Sequence, residues 1–171
     1  MIELEKTYLL KFVPDGLHNC ENKEIIDIYI PKIREHPTLR IRKDGNKFEV
    51  TKKEPVTDDA SKQMEQTIQL LEEEFTEFQK LDGKVVSKRR YLYRYYNKIA
   101  EVDVFQGELK GLVLIDFEFD TEKEKDEFEM PDFCLADVTH ELFLAGGMLC
   151  GKSYEDIEND LKRFDYQKII V

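Results

Sequence analysis

Apolar and charged residues alternate in short runs along much of this chain. Ile2-Glu3-Leu4-Glu5 opens it, and Leu39-Arg40-Ile41-Arg42 repeats the pattern with the opposite charge. Lys88 with Arg90, Glu101 with Asp103, and Asp116 with Glu118 are further pairs two residues apart. A period of two belongs to the β-strand, so each pair lines one face while Leu, Ile, Val and Phe occupy the other. The pattern predicts strands over 2–12, 24–30, 38–43, 47–53, 64–70, 84–95, 98–105 and 112–119. Asp44-Gly45 and the region of Asn97 are read as hairpin turns, Asp82-Gly83 as a further turn and 54–61 as a polar loop. Leu71, Phe75 and Phe78 fall on one helical stripe and predict a helix over 71–80. Thr121 with Glu124, and Ser153 with Asp156, are N-cap signals for a helix ending near Phe128 and another over about 154–164.

These eight strands are mostly joined by hairpins and are therefore antiparallel. A wholly charged face cannot be buried in the core of a sandwich, but closing the sheet gives the charges a shared polar lumen. The expected fold is α+β, mainly β: a closed eight-stranded antiparallel β-barrel with flanking helices, as one domain over 1–171.

Composition narrows the function. Of 171 residues, 37% are charged, and the net charge of −11 opposes nucleic acid as a bulk partner. Much of the acid sits in the predicted surface helices, at Glu72-Glu73-Glu74, Glu77 and Glu122 to Glu129, so net charge describes the exterior more than the lumen. No apolar run has the length of a membrane span, and the N-terminus lacks the layout of a signal peptide. Cys20, Cys134 and Cys150 are widely spaced, as expected of reduced thiols in a cytoplasmic protein, and His18, His36 and His140 show no zinc-ligand spacing. Lys88 to Tyr96 is basic and aromatic, but it alternates as a strand. A monomer or homodimer is expected.

Carboxylates on the first and last long strands, Glu3, Glu5, Asp116 and Glu118, form a candidate metal site if those strands converge; hard oxygen donors select Mg²⁺ or Mn²⁺. Arg40, Arg42, Lys52, Lys88 and Arg90 are candidate ligands of a multiply charged anion. Cations facing a carboxylate-held metal describe a site for a triphosphate chain. Lys88 and Glu5 are the candidate catalytic groups, and Glu65, Glu101 and Asp103 are supporting acids.

The order ExE, RxR, K, KxR, ExD and acidic-x-E resembles the triphosphate tunnel metalloenzymes, the CYTH superfamily. The resemblance is carried by Glu3-Leu4-Glu5, Leu39-Arg40-Ile41-Arg42, Lys88-Arg89-Arg90, Glu101-Val102-Asp103 and Asp116-Phe117-Glu118, with a closing segment at Asp137-Val138-Thr139 and Leu149 to Ser153. It implies an eight-stranded tunnel, a divalent metal held by the glutamates and a triphosphate bound by the basic residues. The implied reaction is metal-dependent hydrolysis of inorganic tripolyphosphate, with nucleoside and thiamine triphosphates as further candidates. An adenylate cyclase, or a non-catalytic polyphosphate- or nucleotide-binding protein, is the alternative. The chain departs from the family pattern at Thr7, where the first motif has lysine, and at Thr67, where the fifth strand has a second acid. Losing one cation and one anion together keeps the lumen's charge in balance. Leu142-Phe143 stands where a closing basic pair is often found.

Overall fold

A computed structural model describes residues 2–56 and 60–171. The predicted loop over 54–61 falls partly outside this range, at 57–59. The strands are β1 (Ile2–Leu10), β2 (Asn22–Ile30), β3 (Leu39–Asp44), β4 (Lys47–Pro55), β5 (Lys62–Leu70), β6 (Lys84–Tyr95), β7 (Lys98–Phe105), β8 (Val113–Phe119) and β9 (Cys134–Asp137). The helices are α1 (Glu72–Phe78), α2 (Glu122–Glu127), α3 (Gly146–Leu149) and α4 (Tyr154–Leu161).

The strand order is β5-β4-β3-β2-β6-β7-β8-β1, and β1 pairs back onto β5, so eight antiparallel strands close into a barrel. Strand β1 closes the ring with its first residues, placing Glu3 opposite Gln63, and takes up β9 with its last, placing Tyr8 opposite Asp137. Sequence periodicity does not reveal β9, because its four residues are too short to show a period. The two hairpins turn as expected. Asp44 pairs with Lys47 across Gly45-Asn46, and Tyr95 pairs with Lys98 across Tyr96-Asn97. Gly45 adopts φ +58°, a left-handed conformation that glycine reaches without a Cβ clash. Ser153 and Thr121 cap α4 and α2 by accepting hydrogen bonds from the amides of Asp156 and Glu124.

The barrel wall has an apolar exterior. On one side Tyr8, Val102, Ile115 and Phe117 pack beneath Phe128 and Phe133. Tyr91, Tyr93 and Tyr95 of the basic-aromatic run belong to this layer, while Tyr96 at the hairpin turn is exposed. Tyr93 meets Phe133 edge-on at 5.8 Å, and Tyr95 meets Phe117 at 5.7 Å. On another side α1 lays Phe75 over Phe48, Ile28 and Ile41.

The inner face differs from the wholly charged surface expected. Leu9, Val86, Phe105 and Leu114 share a face with the charged pairs and are buried in a cluster with Val138, Leu144, Leu149, Tyr154 and Ile157. The segment from β9 through α4 thus packs an apolar plug against one end of the lumen. Its fit is close. A Cβ on Gly146 would lie 2.2 Å from the Tyr29 hydroxyl, and one on Gly147 would lie 2.3 Å from the Pro37 carbonyl. Gly146→Ala is therefore expected to cost about 1–3 kcal/mol by overpacking in urea denaturation. Tyr29→Phe combined with Gly146→Ala should recover part of that loss, since the nearest remaining ring atom is Cζ at 3.2 Å.

Candidate active site in a charged tunnel

The lumen encloses a cavity of about 420 Å³, within the usual range for small-molecule sites. Register fixes which side chains enter it. Directly opposed residues share a face, so the rungs Tyr29–Arg40–Thr51–Thr67 and Asp27–Arg42–Glu49–Gln69 put Arg40 and Arg42 inside. The rungs Arg90–Asp103 and Thr7–Asp116–Glu101 do the same on the other half of the wall, and Glu5 lies opposite Glu118. Glu3, Glu5, Arg40, Arg42, Glu65, Lys88, Arg90, Glu101, Asp103, Asp116 and Glu118 all line the cavity.

Lys52 does not. Arg40 lies opposite Thr51, so odd-numbered residues of β4 face inward. Lys52 is on the outer face, half exposed, with its Nζ 3.2 Å from Glu54. Lys53 takes the inward position. The two-residue turn at Gly45-Asn46 carries enough information to set this register, and with it the parity of β4. Asp27 was also missed. Its signal is an acid in the middle of an apolar strand, two residues before Tyr29.

Ion pairs organise the walls. Asp27 accepts two hydrogen bonds from Arg42, at 2.6 and 2.7 Å, and Asp103 accepts two from Arg90, both at 2.7 Å. Lys88 also pairs with Asp103, and Glu101 with Arg90. Burial raises the pKa of both Asp27 and Asp103, but their cationic neighbours outweigh it and hold both well below the usual carboxylate range. Arg40 is differently placed. Its Nη1 is 3.5 Å from the Tyr29 hydroxyl, and its buried Nε makes no hydrogen bond among the described residues but lies 4.0 Å from Asp27 Oδ1.

The carboxylate group near β1 carries excess negative charge. Lys53 Nζ reaches both Glu5 oxygens, at 3.1 and 3.0 Å, and also Glu3 Oε2. One ammonium cannot neutralise two acids. Burial acts against ionisation of Glu3, but Lys53 and Arg40 outweigh it and hold its pKa low. Glu5 is pushed up to about 7 by burial and by the neighbouring Asp116 and Glu3. Glu118, exposed at the mouth, is pushed up to about 7 by burial, Glu101 and Glu3. Burial and Asp103 also raise Asp116, against the hydrogen bond its Oδ1 accepts from Thr7 Oγ1 at 2.6 Å.

The two threonine substitutions are not neighbours. Glu3 lies opposite Gln63, and Thr7 and Thr67 lie four residues from that rung in opposite directions. Thr7 serves Asp116, while Thr67 bonds Thr51 and Glu65. Their charge losses are therefore separate local adjustments.

Residues 6–136 match the CYTH domain. The chain belongs to the CYTH domain family. The matched stretch begins immediately after Glu5, so geometry alone joins Glu3 and Glu5 to the rest of the site. The inorganic triphosphatase of Nitrosomonas europaea is 29% identical over 147 residues, covering 82% of this chain and 91% of that protein. A crystal structure of an inorganic triphosphatase aligns with a TM-score of 0.64 at 24% identity, over 88% of this chain and 95% of that one. A proposed adenylyl cyclase from Hippeastrum, described as having a dominant triphosphatase activity, aligns with a TM-score of 0.51 at 11% identity, over 97% and 90% of the two chains. At these identities the two structures speak to the fold.

The Glu5 carboxyl gives the metal-free CYTH barrel a pH signature. Its folded pKa of about 7 exceeds the ordinary 4.5, so across that window the folded chain holds a proton that the unfolded chain has released. This group's contribution to stability falls as pH rises through the window. Glu118 acts in the same direction, weakened by solvent screening. In EDTA, Glu5→Gln should show a shallower fall in Tm between about pH 5 and 8 than the parent. An unchanged slope would place the proton elsewhere. Arg42→Ala should cost about 3 kcal/mol in chemical denaturation, because it removes both hydrogen bonds to the buried Asp27 carboxylate and leaves only Arg40, at 4.0 Å, beside it.

Proposed function

We propose that this protein is a divalent-metal-dependent triphosphatase, with inorganic tripolyphosphate as the favoured substrate and nucleoside or thiamine triphosphates as weaker ones. The observation that carries this reading is Arg40. Its guanidinium is buried in the lumen, its Nε makes no hydrogen bond and lies 4.0 Å from an Asp27 carboxylate already bound by Arg42, and it shares the cavity with the Glu3, Glu5 and Glu118 carboxylates. A buried cation short of acceptors suits an anion, and surplus carboxylates suit a cation. A triphosphate bound together with a metal supplies both. The name of the Nitrosomonas europaea relative supports the same substrate.

The donor set fits Mg²⁺ or Mn²⁺. Acids outnumber lysines and arginines along the lining, and the pKa values of two of them, Glu5 and Glu118, are pushed up to about 7 by burial and then by the crowding of negative charge. Glu3, Glu5 and Glu118 would hold the ion, with Asp116 assisting, and the ion would neutralise charge on the phosphoryl oxygens. Arg40 grips the phosphate chain through its open donors. Arg42, beside Arg40 on β3, and Lys88 and Arg90 on β6 are held in place by Asp27 and Asp103 and supply preorganised cationic groups around the chain. In the reaction a water oxygen bonds to the terminal phosphorus as the bridging P–O bond breaks, giving orthophosphate and pyrophosphate. Glu5, lining the lumen beside the ion it would help to hold, is the candidate acceptor of the water's proton. Lys88, whose ammonium is destabilised by burial, is placed to stabilise the leaving oxygen or to protonate it. The three cysteines are free thiols, in keeping with a reducing cytoplasm.

Phosphate release from tripolyphosphate, ATP and thiamine triphosphate, measured with Mg²⁺ and then Mn²⁺, tests the proposal. Metal-dependent release is expected, fastest with tripolyphosphate and reduced on the order of 100-fold or more by Arg40→Ala, which removes a charge-assisted grip on the transition state. Stabilisation by tripolyphosphate without release would instead mark a binding protein. Cyclic nucleotide formation from ATP would mark a cyclase.

A further inference from the structure

The contacts of Lys53 bear on how the tunnel admits its metal. This inference rests on the metal-dependent reading above. Lys53 Nζ sits between the two glutamates of β1, 3.0 and 3.1 Å from the Glu5 oxygens and against Glu3 Oε2. It arrives there from β4, where Glu65 lies directly opposite it on β5. Among the described residues, no three His, Cys, Asp or Glu side chains are gathered as a ready-made metal cluster. An ammonium occupies the space between two of the proposed ligands. Lysine's charge is compact and rides on a flexible four-carbon stem, so the group can leave without any movement of the strand.

We propose that Lys53 is an exchangeable internal cation. In the free protein it holds the Glu3–Glu5 pair, and it moves to a phosphoryl oxygen when a triphosphate enters, releasing the pair to the divalent ion. Ammonium and metal compete for the same oxygens, and like charges at this separation repel strongly in a partly buried site. An incoming triphosphate draws the ammonium away. Metal and triphosphate therefore strengthen each other's binding beyond their own attraction, and the coupling is reciprocal. Such a device keeps the tunnel charge-balanced between turnovers and disfavours metal loading without substrate. Glu5 and Glu3 would be locked by metal alone if Lys53 were absent.

Calorimetric titration with Mn²⁺ alone tests this, using the parent chain, Lys53→Met and Lys53→Gln, the second variant guarding against loss of fold in the first. Both variants are expected to bind Mn²⁺ at least about tenfold more tightly than the parent, as removal of a competing charge requires. Affinity equal to or weaker than the parent's would overturn the proposal. The same titrations repeated with an imido analogue of tripolyphosphate separate this inference from the reading it rests on. The parent should gain more Mn²⁺ affinity from the analogue than either variant does. If the parent binds Mn²⁺ with the analogue while the variants show no advantage without it, the exchange is wrong and metal-dependent function stands. If no form binds Mn²⁺ even with the analogue, both fail.

Discussion

Closure of the barrel between β1 and β5 is the constraint on which the remaining features depend. The rungs at Glu3–Gln63 and its neighbours convert an open sheet into a ring, and only a ring gives the charged face an inside. An open sheet would leave Arg40, Arg42, Glu3 and Glu5 in bulk water, where their mutual interactions are screened and weak. Enclosed, the same side chains sit at low dielectric and must find partners. The bidentate pairs Arg42–Asp27 and Arg90–Asp103 are the result, one on each half of the wall.

Closure also explains why one end of the lumen is apolar. Rows of charge running the full length of the tunnel would need a compensating partner at every level. Instead Leu9, Val86, Phe105 and Leu114 meet the segment from β9 to α4 in a dry core, and the charge is confined to the remaining length. Gly146 and Gly147 allow that segment to approach Tyr29 and Pro37 closely. The plug adds buried area to a small barrel whose inner face otherwise contributes little hydrophobic stabilisation.

Within the charged zone, compensation is uneven in a way that suits function. The Asp27 and Asp103 sides are fully paired and act as scaffold. Arg40 has only Tyr29 and a shared Asp27 within reach, while Glu3, Glu5 and Glu118 have more negative charge than Lys53 can balance. A site with both deficits in one cavity favours a ligand that brings both charges. Thr7 brings no cation to the acidic side, and its hydrogen bond to Asp116 only partly offsets the crowding.

Much of the fold was legible because the period-two alternation and two tight turns are local properties of the chain. All eight barrel strands begin and end within two residues of where the pattern places them. Most of the lining was legible for the same reason, since residues two apart share a face whatever the sheet does. Lys53 and Asp27 were not found by charge pairs. Lys53 depends on the register of one hairpin, and Asp27 stands alone among apolar neighbours. Short β9 and α3 have no periodic signature long enough to read, and α4, legible from its Ser153 cap, gave no sign that it would plug the lumen. The sequence by itself determined which residues form strands and which side chains share a face, because backbone geometry imposes that at short range. Only the tertiary structure decided which faces turned inward together, which charges paired and which were left over, because those outcomes depend on closing a ring between residues some sixty positions apart.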